Sequence, residues 1–123
     1  MTSDLKLAKF GQFLMNNLRD APIDFFDKLM IGYWKANVLQ DIQNELKQLT
    51  PDQKDLLRKC VAATMDTAIH DFLIALEENN VTTKDIQILV DGDDIVLKSK
   101  NLHKELNGED GWFAKFSRYK IDF

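Results

Sequence analysis

The chain has 123 residues, 45% hydrophobic and 29% charged, which is ordinary usage for one globular domain over residues 1–123 and too apolar for a disordered tail. The net charge of −4 and pI near 5.1 exclude the basic surface that non-specific nucleic-acid binding needs. No run approaches the roughly 20 apolar residues of a membrane span, and the first residues, with Asp4 early and no apolar stretch, do not resemble a secretory leader, so no membrane role and a cytoplasmic location are expected.

Ser3 is a good helix N-cap, with Asp4 in the first turn. Leu7, Phe10, Leu14 and Leu18 recur at helical spacing and predict a first helix over residues 4–17. Asp20-Ala21-Pro22 is read as a break, with proline placed to open a second helix. Residues 22–49 carry one apolar face, from Ile23, Phe26, Met30, Tyr33 and Trp34 to Val38, Ile42, Leu46 and Leu49. Gly32 bends or divides this stretch, giving one helix or two.

Thr50-Pro51-Asp52-Gln53 is a capping box in which Thr caps, Pro opens the helix and Gln reaches back. Nothing breaks the helix over residues 51–79. Leu57, Val61, Met65, Ala68, Phe72 and Leu76 form one stripe, and Leu56, Cys60, Ala63, Thr67 and Ile74 cover much of the opposite side. Such a helix is expected to be central and buried. Asp55, Lys59, Asp66, His70 and Glu77 would hold its wet stripe. The one cysteine, Cys60, has no disulfide or CxxC partner and is expected as a small buried apolar group.

Residues 86–90 are rich in β-formers, Asp91-Gly92-Asp93-Asp94 is turn chemistry, and residues 95–97 follow as the second arm of a β-hairpin. Ser99 then caps a short helix with Leu102 and Leu106. A loop over residues 107–111 leads to the aromatic group Trp112, Phe113 and Phe116. The fold class is α+β, mostly α. It comprises three or four helices around a central helix, a β-hairpin and a short C-terminal aromatic segment.

Few residues suggest chemistry. His70 lies four residues after Asp66, where the two can pair on a helix face. That pair is either an oriented base or a surface ion pair, and no nucleophile accompanies it at a motif spacing. His103 sits in a short polar helix and has the same two readings. Asp91-Gly92-Asp93-Asp94 fails the EF-hand spacing and reads as a solvated turn. No nucleotide, zinc-protease, hydrolase-elbow or CxxC motif is present. No catalytic residue, cofactor or metal is therefore expected.

Acidity is concentrated. Residues 61–94 hold eight acids and one base, Lys84, against twelve acids and fifteen bases elsewhere. Glu77 and Glu78, near a helix C-terminus, oppose the helix dipole. Either they are tolerated there or they extend an acidic surface. Glu77, Glu78, Asp85, Asp91, Asp93 and Asp94 are thus candidate partner-binding residues, together with Trp112 as an aromatic anchor.

Ala21-Pro22-Ile23-Asp24-Phe25-Phe26, His70-Asp71-Phe72-Leu73 with Glu77-Glu78, and Gly108-Glu109-Asp110-Gly111-Trp112 carry a resemblance. Through them the chain resembles the small acidic immunity proteins of bacterial toxin systems, including contact-dependent growth inhibition. The resemblance implies a non-catalytic, cytoplasmic domain that binds one cognate toxin and blocks it. An acidic surface would suit the basic cleft of a nuclease toxin and speed association. Two alternatives stand beside it: another protein-binding adaptor or regulatory module, and a small enzyme using His70 with Asp66.

Overall fold

The computed structural model describes residues 4–120. It contains helices α1 (Leu5–Leu14), α2 (Ala21–Met30), α3 (Asn37–Leu46), α4 (Pro51–Val81) and α5 (Trp112–Phe116). A π turn (Met15–Asp20) joins α1 to α2, and 3-10 turns cover Ile95–Lys98 and Leu102–Leu106. Strands β1 (Leu89–Val90) and β2 (Asp93–Asp94) pair antiparallel, Leu89 with Asp94 and Val90 with Asp93. The class is α+β and mostly α.

The cap expected at Ser3 lies outside the described residues. Asp4 caps α1 by accepting the backbone N–H groups of Lys6 (2.9 Å) and Leu7 (3.2 Å). The Leu7 bond above all holds the Asp4 carboxyl below its usual pKa.

Asp20-Ala21-Pro22 does not break the helix. The chain stays helical from α1 through α2 because the turn ahead of the proline widens. A proline at position 22 lacks an N–H and would clash with the carbonyl of residue 18 in a regular helix. The π turn opens this spot, and the Ala21 N–H reaches back five residues to the Asn16 carbonyl.

The second stretch is two helices. Gly32, at φ +71°, turns the chain out of α2. Buried Gln43 then holds α3 to the connection. Its Oε1 accepts the Trp34 N–H at 2.9 Å and its Nε2 donates to the Trp34 carbonyl at 2.9 Å. The Trp34 indole N–H is buried without an acceptor among the described residues, a cost that a finished core avoids.

The capping box at Thr50 forms as expected. Thr50 Oγ1 accepts the Gln53 N–H at 3.1 Å, and Gln53 Oε1 accepts the Thr50 N–H at 2.9 Å. The burial of α4 differs from expectation. Its buried residues are Ala62, Ile69, Leu73 and Leu76, a single face that begins only after the first three turns. Residues 51–60 contain no buried side chain. Phe72 is 42% exposed, and Cys60 is exposed. The elements after α4 cover one side of its second half and leave the other apolar side to solvent.

The hairpin is short. Asp91 (φ +50°) and Gly92 (φ +87°) form its turn with positive φ at both central positions, the geometry that suits strand twist. The expected second arm is a 3-10 turn instead, because Asp94 caps it by accepting the Val96 N–H at 3.0 Å. Ser99 does not cap the next turn; its hydroxyl donates to Glu105 at 2.9 Å.

The core joins Leu7, Phe10, Leu14 and Met15 to Ile69, Leu73 and Leu76, and closes over them with Ile95, Val96, Leu102, Leu106 and Trp112. Trp112 meets Phe10 edge to face at 5.9 Å. A Cβ at position 11 would overlap the Trp112 indole, so Gly11 is what lets α5 lie on α1. The aromatic segment covers the core.

Candidate functional site

A concave groove of about 340 Å³ runs between α1 and the chain entering the hairpin, lined by Lys9, Phe10, Phe13, Ile88, Leu89, Val90 and Asp91. Phe10 is rooted in the core, whereas Phe13 and Leu89 stand exposed at its mouth. The rim is polar: Lys9 bonds Asp91 at 3.1 and 3.2 Å. An apolar floor with a charged rim is the anatomy of a protein-binding surface.

The predicted acids do not form one free face. Asp93 binds Lys6 at 2.5 Å and Lys98 at 3.3 Å, and Lys98 also lies 3.6 Å from Asp4. The Lys6 bond, then the Lys98 bond, hold the Asp93 carboxyl below its usual pKa. Asp94 serves as the cap of the first 3-10 turn. Asp85 accepts Asn79 Nδ2 at 2.7 Å and Thr83 Oγ1 at 2.8 Å, which lower its pKa in that order. Glu77 takes His103. The Glu78 side chain alone of the six has no hydrogen-bond partner among the described residues. The acidic tract therefore mainly organises the end of α4 and ties the hairpin to α1, because lysines distant in sequence return to it.

Trp112 is 3% exposed and belongs to the core, so it cannot anchor a partner. Asp66 does not pair with His70. Its carboxylate binds Arg19 (Nε 2.6 Å, Nη2 3.3 Å), while His70 Nδ1 lies 3.2 Å from Asp71.

That Arg19 contact opens a network the sequence did not suggest. Arg19 and Asp20 are buried in the π turn. Arg19 Nη1 donates to Ser117 Oγ (2.6 Å) and the Tyr119 carbonyl (2.5 Å). Ser117 Oγ donates to Asp20 at 2.6 Å, and Asp20 also accepts the Arg118 N–H at 3.0 Å. One turn later Asp24 accepts the Tyr119 hydroxyl and the Arg118 guanidinium. The Tyr119 bond, foremost, lowers the Asp24 pKa and raises that of the phenol. Arg58 of α4 lies over the Tyr119 ring (5.2 Å) and binds Asp27 at 2.8 and 3.0 Å. The adjacent Arg19-Asp20 within a helical stretch was the available signal for this lock; Ser117 and Tyr119 gave none.

Further exposed apolar side chains lie outside the groove. Ile31 is 77% exposed, Val38 70% and Leu56 62%. They stand on the exit of α2, on α3 and on the first half of α4; the Tyr33 and Trp34 rings between α2 and α3 meet edge to face at 4.9 Å.

No described helix is long and apolar enough to cross a membrane. Among the described residues no group of three or more His, Cys, Asp and Glu side chains could hold a metal. Fold and site thus define a small, mostly helical α+β protein with an apolar, charge-rimmed groove beside a short hairpin. The chain belongs to a family of unknown function, DUF6547, which matches residues 14–116, from the end of α1 through α5. No curated protein and no solved structure matches it.

Proposed function

We propose that this chain is a non-enzymatic, cytoplasmic binding domain of the immunity type, which neutralises a cognate bacterial toxin by docking it at the groove between α1 and the hairpin. The groove carries the proposal. It offers Phe13 and Leu89 at its mouth, with Val90, for burial, and Lys9 with Asp91 fixes orientation at the rim. With Asp91 and Asp93 tied to lysines, apolar burial supplies affinity, and the net negative charge supplies steering toward a basic partner. The non-enzymatic reading is supported by the hydroxyl and histidine contacts: no histidine hydrogen-bonds a Ser, Thr or Cys among the described residues, and Ser117 is buried and engaged. A second reading, an adaptor for some other protein, is favoured by the exposed apolar side chains of Val38 and Leu56.

The test is protection. The chain is co-expressed with the toxin domain encoded beside it, and growth is followed for Phe13→Asp and Val38→Asp, each first shown by melting to fold. Loss of protection with Phe13→Asp alone is expected. Loss with Val38→Asp alone moves the surface to α3. Failure of the wild-type chain to protect or bind overturns the immunity reading.

A further inference from the structure

We propose that His70 and His103 form a surface site for one divalent transition-metal ion. His70 projects from α4, and His103 from the 3-10 turn Leu102–Leu106 that packs on it. Their ring centroids lie 5.3 Å apart with planes at 82°. Two imidazoles bound to one tetrahedral ion through metal–nitrogen bonds of about 2.0–2.1 Å have centroids roughly 5 Å apart. The two rings already stand at that separation.

Each ring is also held by a carboxylate. His103 Nδ1 lies 2.9 Å from Glu77 Oε2, and Glu77 Oε1 accepts the His103 backbone N–H at 2.9 Å. His70 Nδ1 lies 3.2 Å from Asp71 Oδ1. A carboxylate on Nδ1 keeps that nitrogen protonated and leaves Nε2 as the lone-pair donor, the arrangement found behind most metal-bound histidines. No described protein group hydrogen-bonds either Nε2. The side chains are 41% and 24% exposed, so an ion reaches them from solvent.

The ligand chemistry sets the ion. Neutral imidazoles suit Zn²⁺, Ni²⁺ and Cu²⁺ and not the hard, oxygen-seeking Mg²⁺ or Ca²⁺. Two protein ligands fall short of the four of a closed structural site, so the ion exchanges and folding does not depend on it. Water fills the remaining positions, or a side chain from a bound partner does. This site lies apart from the groove and does not rest on the immunity reading.

The test is calorimetric titration of tag-free protein with ZnCl₂ and CuCl₂, with MgCl₂ as control. The expected result is one ion per chain, Cu²⁺ tighter than Zn²⁺, and no heat from Mg²⁺. His70→Ala and His103→Ala should each weaken binding at least tenfold. Glu77→Gln should weaken it about tenfold, the low end of the effect of a partner that orients a ligand. Melting curves confirm that each variant folds; His70 is on an open face of α4, so its variant decides the matter even if Glu77 or His103 proves structural. Absence of binding to the wild type, or binding unchanged in His70→Ala, overturns the site.

Discussion

The two halves of α4 lie in different surroundings although their sequences look alike. The second half places Ile69, Leu73 and Leu76 in a core closed by α1, the two 3-10 turns and Trp112. The first half buries nothing over residues 51–60, and α3, which precedes it in the chain, buries only Gln43. Both halves are helical, and the first even begins with a complete capping box. Local signals determine that a helix forms, while burial is decided by what the rest of the chain brings to it. Here the chain after α4 returns its core residues to the second half, and meets the first half through the Tyr119 ring under Arg58.

Substitutions test this contrast. The largest effect belongs to the lock on which the π turn and the C-terminal segment converge. Arg19→Ala leaves Asp66 without its partner, and Ser117 and the Tyr119 carbonyl without their buried donor, and should cost about 3–5 kcal/mol, the usual toll of breaking a buried pair. Denaturant unfolding measures it; a loss under 1 kcal/mol would show that the segment from Ser117 adds little. Leu73→Ala, at the centre of the covered half, should cost about 2–5 kcal/mol in the same assay.

Gly11→Ala is smaller. A better helix former gains up to about 1 kcal/mol, but the added methyl meets the Trp112 indole, and overpacking costs about 1–3 kcal/mol. A net loss with a blue- or red-shifted Trp112 fluorescence is expected. A gain in stability would mean that α5 moves aside freely.

The Asp24–Tyr119 bond predicts pH behaviour at both extremes. The folded Asp24 pKa is lowered, so its contribution is present above the unfolded value of about 4 and is lost as pH falls through the folded value. The folded Tyr119 pKa is raised, so its contribution is present below the unfolded value of about 10 and is lost as pH rises through the folded value. Tyr119→Phe should therefore flatten the alkaline limb and soften the acid one. Identical pH–stability profiles in the two proteins would remove the bond from consideration.

Away from the core the expectation is near silence. Val38→Ala and Leu56→Ala should each change stability by about 0.5 kcal/mol or less, and amides of α3 should exchange sooner than those around Leu73. A loss above 1 kcal/mol at either position would mean that it is as tightly built as the core.

Much of the architecture was legible. The capping box, the hairpin turn and the helical periods are local, and they fixed α4, the Asp91-Gly92 turn and the mostly helical class. The aromatic C-terminal segment followed from Trp112, Phe113 and Phe116. Burial along α4 was less legible, since Leu56, Cys60 and Phe72 have the same apolar character whether covered or bare. The site was least legible. Asp91 and Asp93 read as free acids because the α1 lysines that bind them, Lys9 and Lys6, lie more than eighty residues away. Asp66 looked to His70 because helix spacing offers that pair, while Arg19, forty-seven residues distant, takes it.

The π turn also acts as a phase setter. Each residue in a regular α-helix advances the side chain by about 100°, and the wide turn over Met15–Asp20 alters that count once, in the middle of a helical run. The faces of α1 and α2 can thereby meet different neighbours: α1 meets Trp112 and the hairpin side, whereas α2 buries its own Ile23 and Phe26 and packs on α4. A one-residue deletion there, harmless in most loops, would re-index every position from Ala21 to Met30 and rotate Asp24 and Asp27 away from Tyr119 and Arg58. The π turn thus constrains this stretch in length as well as in residue type, a constraint that no individual side chain displays.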